Sequence, residues 1–194
     1  MQEEEKLIKL YNECLNELSN VGLDFNDNSK FGKIDIVVSP RNCKRYGCCK
    51  QENPDKKTKV VKKYKRRKIV TYEKYDVHHI EISKWVMQLN DILIKNTIMH
   101  ELIHCIPKCN NHGVEFKKYA SYINKKLGYN ISRLGNKVED LNKSNVQYNK
   151  NDDFNYKITC VKCGQSFLRK RLNKNFLVKY RCGICRGKFS VEKI

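Results

Sequence analysis

Residues 100–113 read HELIHCIPKCNNHG. On a helix, His100 and His104 stand four residues apart and project from one face, so both imidazoles can reach one metal ion. Glu101 is offset by one position, beside the ion rather than on it, where a base acting on water belongs. A hydrolytic zinc takes three protein ligands and keeps one position for water. His112 is the candidate third ligand: Pro107 ends the helix, and the turn through Cys109, Asn110 and Asn111 can return the chain to the site. Glu115, Glu139, Cys105 and Cys109 are its competitors. With zinc on His100, His104 and His112, the pKa of its water falls to about 7. Glu101 then takes a proton as that water attacks a carbonyl, and can return it to a leaving amine. The tyrosines of residues 113–128 are candidates for stabilising the oxyanion.

A second constellation lies near the C-terminus. Cys160 and Cys163, then Cys182 and Cys185, form two CxxC knuckles with eighteen residues between them. That spacing fits a zinc ribbon, four thiolates closing a tetrahedral structural site. The flanking segments YKIT, FLVKYR and KFSVEKI read as its strands. Cys43, Cys48 and Cys49 remain, read as free thiols, with a third metal site shared with Cys105, Cys109, His78 or His79 as the alternative. The acidic N-terminus does not read as a secretory signal and no apolar run is long enough for a membrane span. Ten cysteines in a protein expected in the cytoplasm, or at the nucleoid if the source is bacterial, point to metal binding before disulfides.

The elements that must position these groups are legible in outline. Leu7, Leu10, Tyr11, Cys14, Leu15 and Leu18 mark an amphipathic helix over residues 3–18. KIDIVVSP (33–40) and HHIEISKWV (78–86) read as strands, with a long hairpin excursion between them that turns near Asn53-Pro54-Asp55. Asn90 or Asp91 caps a helix that runs to Pro107, and residues 113–128 form another, with Val114, Tyr119, Ile123 and Leu127 near one face and Gly128 as its C-cap. Residues 136–155 are polar, Asn-rich and aperiodic, a linker between a domain over 1–135 and the ribbon over 156–194.

The net charge of +19 is unevenly placed. Residues 31–70 carry fourteen basic and three acidic side chains, and residues 156–194 carry eleven and one, whereas 71–155 are almost balanced. Blocks of this kind suit a polyanion, because each neutralised phosphate releases counterions. Lys62, Lys63, Arg66 and Arg67 in the first block, and Arg169 and Arg171 in the second, are the candidate nucleic-acid contacts. Tyr64 and Tyr72 are candidates for base stacking. The alternative is a solvated basic surface that reflects a Lys- and Asn-rich composition.

With TIMHELIHCIPKCNNHGVEFKKYASYIN preceded by strands with cysteines between them and followed by a ribbon, the chain resembles the SprT-like zinc metalloproteases, which are Spartan-related. HExxH and the later His-Gly-x-x-Phe are the most specific pieces. The step from His104 to His112 is shorter than in Spartan-like members. The resemblance implies zinc on His100, His104 and His112, with Glu101 catalytic. It also implies an α+β, zincin-like metalloprotease domain, helices packed on a small antiparallel sheet, followed by the zinc ribbon. The expected cofactors are one catalytic and one structural Zn²⁺. The expected activity is a metalloendopeptidase acting as a monomer on proteins bound or crosslinked to DNA, single-stranded or damaged. Its rivals are a nucleic-acid-binding zinc protein with a structural protease-like site, and a peptidase with no nucleic-acid role.

Overall fold

Leu7, Leu10, Cys14 and Leu18 recur at three- and four-residue steps and are buried, which makes residues Gln2–Asn20 an amphipathic helix, α1. Glu3, Glu4 and Glu5 fill its first turn, where the helix dipole favours negative charge. The computed structural model describes residues 2–39, 45–64, 67–133, 135–147 and 154–194. It divides into two units, residues 1–146 and 147–194.

In the first unit, a single-turn helix α2 (Asn28–Phe31) leads to β1 (Lys33–Ser39). Four more strands follow: β2 (Gly47–Pro54), β3 (Lys59–Tyr64), β4 (Arg67–Tyr72) and β5 (Tyr75–Ser83). Three helices complete the unit: α3 (Asp91–Ile103), α4 (Val114–Leu127) and α5 (Lys137–Lys143). The main sheet has the order β1-β5-β2, and it is mixed rather than antiparallel as expected. β1 runs parallel to β5, with Ile36 opposite Ile80. A parallel pair needs a long crossover, and the segment between the two strands is long enough to supply it. That segment is not one hairpin. Its first part, β2, joins the sheet antiparallel to β5 with Cys49 opposite Ile80. Its second part, β3 and β4, forms a separate two-stranded ribbon. The expected turn is there: Asn53 has φ 51°, and Asp55 caps a short 3₁₀ turn over Lys56–Thr58.

β5 stops at Ser83, and the residues read as its end form a 3₁₀ turn, Lys84–Gln88, with Val86 and Met87 buried. Helix α3 is the centre of the unit. Asn90 caps it by accepting from the Leu93 N–H at 3.0 Å. Ile94, Ile98, Met99, Leu102 and Ile103 are all buried, and α1, β2, β5 and α4 surround it. A helix apolar on several sides is a core helix. Lys95 is its charged exception, bound by Glu13 at 2.7 Å and Glu17 at 2.9 Å from α1.

The α3 helix ends at Ile103, earlier than the proline predicts. His104, Cys105 and Ile106 donate to carbonyls three residues back, a tightened last turn, and Pro107 falls beyond it. In α4 the buried face is Phe116, Ala120 and Ile123, while Val114 is 70% exposed. Gly128 closes α4 in the left-handed region at φ 75°, as expected. The stretch read as a linker contains α5: Asn136 caps it and Leu141 is buried. No helix among the described residues is long and apolar enough to cross a membrane.

The second unit is a three-stranded antiparallel sheet in the order β7-β6-β8, from β6 (Tyr156–Cys160), β7 (Ser166–Arg169) and β8 (Phe189–Lys193). Phe176–Lys179, read as strand, is instead one helical turn, α6, with Phe176 buried.

Candidate metal centre

His100 lies in the last turn of α3, His104 is its C-cap, and His112 arrives on the loop before α4. The three Nε2 atoms converge: His112 is 2.9 Å from His100 and 3.3 Å from His104. The other ring nitrogens point away. Nδ1 of His100 is 2.9 Å from the Ser132 carbonyl, and Nδ1 of His104 is 2.7 Å from the Cys109 carbonyl. A carbonyl only accepts, so each Nδ1 carries the proton and each Nε2 keeps its lone pair for a cation. The Ser132 acceptor is held by Asn124, whose side chain bonds both the N–H and the carbonyl of Ile131, at 2.8 and 3.1 Å.

Phe116 supports the cluster from below, its ring centroid 4.8 Å from each of the three imidazoles. It is the Phe of His-Gly-x-x-Phe, a motif visible in the sequence without an evident role. Burial lowers the pKa of all three histidines. His100 falls to about 4 through burial, helped by the neighbouring His104 and His112. Neutral imidazole is the ligand form, so this environment suits a metal.

Glu101 is buried beside the histidines, and its carboxyl faces strand β2. Burial pushes its pKa up to about 8, with the Cys49 thiol adding, against the Arg45 charge and the Cys49 backbone N–H. Alternate residues of β2 lie along this helix. A Cβ at Gly47 would sit 2.9 Å from Glu101 Oε1, and Gln51 Nε2 donates to the His104 carbonyl at 2.7 Å. The opposite face of β2 turns to Glu81, which meets Cys48 at 3.8 Å and pairs with Lys50. Gly47 and Gln51 escaped the sequence reading. No local signal marked them, since Gly47 opens a strand that has no β-branched residues.

A cleft of about 940 Å³ opens over the histidines and Glu101, walled by Arg45, Tyr46, Asn96, Arg133 and Glu139 among others. None of the competitors for the third ligand position joins the three-histidine group among the described residues. Glu115 pairs with Lys118 and Glu139 with Lys143. Cys109 is fully buried, and Cys105 turns toward Cys49. The expected oxyanion groups are also elsewhere: Tyr122 donates to the Val21 carbonyl, and neither it nor Tyr119 lines the cleft. Tyr46 does line it, with its hydroxyl donating to Asp140 at 2.6 Å.

In the second unit, Cys160, Cys163, Cys182 and Cys185 come together as a four-sulfur cluster. Cys160 and Cys185 sulfurs are 3.4 Å apart, and those of Cys163 and Cys182 are 3.6 Å apart. Each knuckle turns tightly, through Gly164 at φ 73° and Arg186 at φ 58°. The backbone N–H of Cys163 pulls the Cys160 thiol down to about 6, favouring thiolate. A Cβ on Gly187 would meet the Cys160 sulfur at 2.9 Å, so the chain passes too close for any side chain.

The nucleic-acid candidates divide between the two units. Lys63 and Arg67 are exposed on the β3–β4 ribbon; Arg66 and the side chains of Lys62 and Tyr64 lie outside the described residues, as does Cys43. Tyr72 packs edge-on against Tyr75, ring centroids 6.3 Å apart, across the short connection between β4 and β5. Arg171 is exposed, and Arg169 lies over the Phe176 ring at 5.0 Å. No curated protein matches the chain significantly. The SprT-like family model matches residues 11–137, well over half of the chain and all of the histidine site, and the chain belongs to the SprT-like family.

Proposed function

We propose that the chain is a zinc-dependent metalloendopeptidase of zincin-like fold that acts on proteins bound or crosslinked to DNA. The observation that carries the reading is the convergence of three imidazole Nε2 atoms with a buried Glu101 beside them, at the floor of an open cleft. The donor set fits zinc: three neutral imidazoles, those of His100 and His104 in a fixed tautomer, with no fourth protein ligand closing the site among the described residues. His100, His104 and His112 hold the ion. Zinc held there supplies a Lewis acid that polarises the scissile carbonyl and yields a nucleophilic water near neutral pH.

A dication on the histidines would favour ionised Glu101 against the burial that raises its pKa to about 8, and Glu101 would then take the proton from the attacking water and pass it to the leaving amine. The Cys49 backbone N–H holds its carboxylate, and the lack of a side chain at Gly47 leaves room for it. β2 ends the sheet, and Tyr46 to Cys49 and Gln51 line the cleft, so an extended substrate can lie along that edge with main-chain hydrogen bonds. Arg133 lines the cleft near His112 and is the candidate donor to a developing oxyanion, since the Tyr46 hydroxyl already donates to Asp140. The four-cysteine unit holds a second, structural zinc. The DNA role is supported by the two basic blocks and by the exposed Lys63, Arg67 and Arg171. The protein works as a monomer in the cytoplasm, at the nucleoid if bacterial.

The test compares the wild type with Glu101→Gln for cleavage of a DNA-binding substrate, with and without single-stranded DNA. Loss of cleavage in the variant by a factor of about 10² or more is expected. Equal cleavage by both proteins overturns the catalytic assignment. Cleavage indifferent to DNA overturns the coupling and leaves the chemistry in place.

A further inference from the structure

A second group of metal-ligating side chains lies next to Glu101, outside the histidine site. Cys49 on β2, His78 on β5 and Cys105 just past α3 bring their ligand atoms within 4.8 Å of one another. The Cys49 sulfur is 3.8 Å from the Cys105 sulfur and 3.8 Å from His78 Nδ1. His78 is 1% exposed and Cys105 is 2% exposed. His78 shares the inner face of β5 with Ile80 and Ile82, where the alternation calls for an apolar side chain. Its Nε2 is buried without a hydrogen-bond partner. Its Nδ1 meets only a sulfur, so the lone pair there is poorly compensated for leaving water, whereas the buried Nε2 would keep its proton and stay unpaired with or without an ion.

The spacing suits a cation. Zinc–sulfur bonds of about 2.3 Å in a tetrahedron set two sulfurs roughly 3.8 Å apart. A disulfide would require about 2.0 Å. Charge suits it as well, since two thiolates cancel a divalent ion and leave a neutral centre in the core. Neighbouring candidates do not belong to the group: Cys48 faces Glu81 on the other side of β2, and His79 lies between Asp35 and Glu52.

We propose that Cys49, His78 and Cys105 form a third zinc site that ties the fold together, with these three as its protein ligands among the described residues. Binding replaces two S–H protons, released to solvent, with two Zn–S bonds, and His78 Nδ1 gives its lone pair. The ion then ties β2 and β5 to the end of α3. Because Cys49 also presents its N–H to Glu101, the same tie fixes the strand that aims the base.

The test counts zinc in the full chain, purified with Zn²⁺ and desalted, by native mass spectrometry and elemental analysis. Three ions per wild-type chain are expected, and two in Cys49→Ser. His112→Ala and Cys163→Ser each remove a different ion, so failure at the histidine or ribbon site is told apart from failure here. A wild-type count of two, with His112→Ala and Cys163→Ser each lowering it, overturns the proposal. So does a count that Cys49→Ser leaves unchanged. Should Cys49→Ser not fold, His78→Gln takes its place, and the wild-type count still decides.

Discussion

Glu101 and Gly47 act as one unit. A methyl group at position 47 would lie 2.9 Å from Glu101 Oε1, 3.0 Å from its Cγ and 3.1 Å from the Glu81 carbonyl. The last of these is backbone and cannot yield, so the carboxylate must move. Gly47→Ala is therefore expected to lower kcat by one to two orders of magnitude while the histidine site keeps its metal, since misplacement of about 1 Å in a reacting group costs that much. Steady-state kinetics beside elemental analysis check it, and a variant as active as the wild type refutes it. The histidines were readable because i and i+4 on a helix is a local relation. Gly47 was not, because its importance is set by a residue 54 positions away that only tertiary pairing brings near.

Two elements carry the site's environment. The turn after α4 presents the Ser132 carbonyl to His100, and Asn124 holds that turn through both backbone groups of Ile131. Asn124→Leu removes both bonds and is expected to weaken zinc binding at the histidines by about 10–100-fold, measured by competition with a chelator. An affinity equal to the wild type would show that the turn holds without it. The β3–β4 ribbon offers Lys63 and Arg67 to solvent beside exposed Val61, Ile69 and Val70, so it is not built for packing within the unit. Replacing Lys62, Lys63, Arg66 and Arg67 by Gln is expected to weaken single-stranded DNA binding and to reduce its salt slope by about 0.7 for each phosphate no longer neutralised. Unchanged binding would assign the charge to solubility alone. This ribbon was legible only as part of a basic excursion: the turn expected near Asn53-Pro54-Asp55 precedes it, and its two strands were not told apart. β2 was not legible as a strand, since GCCKQENP has none of the β-branched residues that announce one. Its place is fixed by pairing with β5 and by contacts of Gly47, Cys49 and Gln51 with the site.

Across the molecule the two units differ in what holds them. Residues 1–146 bury a continuous set of Leu, Ile, Phe and Met side chains around α3. Among the described residues of 147–194 the buried positions are Ile158, Phe176, Cys160 and Cys182. Two apolar side chains at about 2 kcal/mol each cannot offset the ordering of such a segment. The four-sulfur cluster is the remaining source of stability in this unit, and a metal bound there is expected to hold it. Chelation is therefore expected to make the C-terminal unit sensitive to limited proteolysis while α1 and α3 stay protected, with cleavage sites mapped by mass spectrometry. Equal protection of both units would contradict this. CxxC knuckles stated that dependence in the sequence. The parallel pairing of β1 with β5 was hidden, because strand composition does not carry direction.

The acceptors that orient His100 and His104 are main-chain carbonyls, those of Ser132 and Cys109. Every amino acid brings the same carbonyl. Substitution at 109 or 132 therefore leaves the imidazole tautomers alone, and a side-chain scan of these loops would pass over the groups that set them. Loop length is the sensitive variable. Adding or deleting one residue between His104 and Cys109 moves the carbonyl out of line, so the site tolerates drift in sequence far better than drift in spacing.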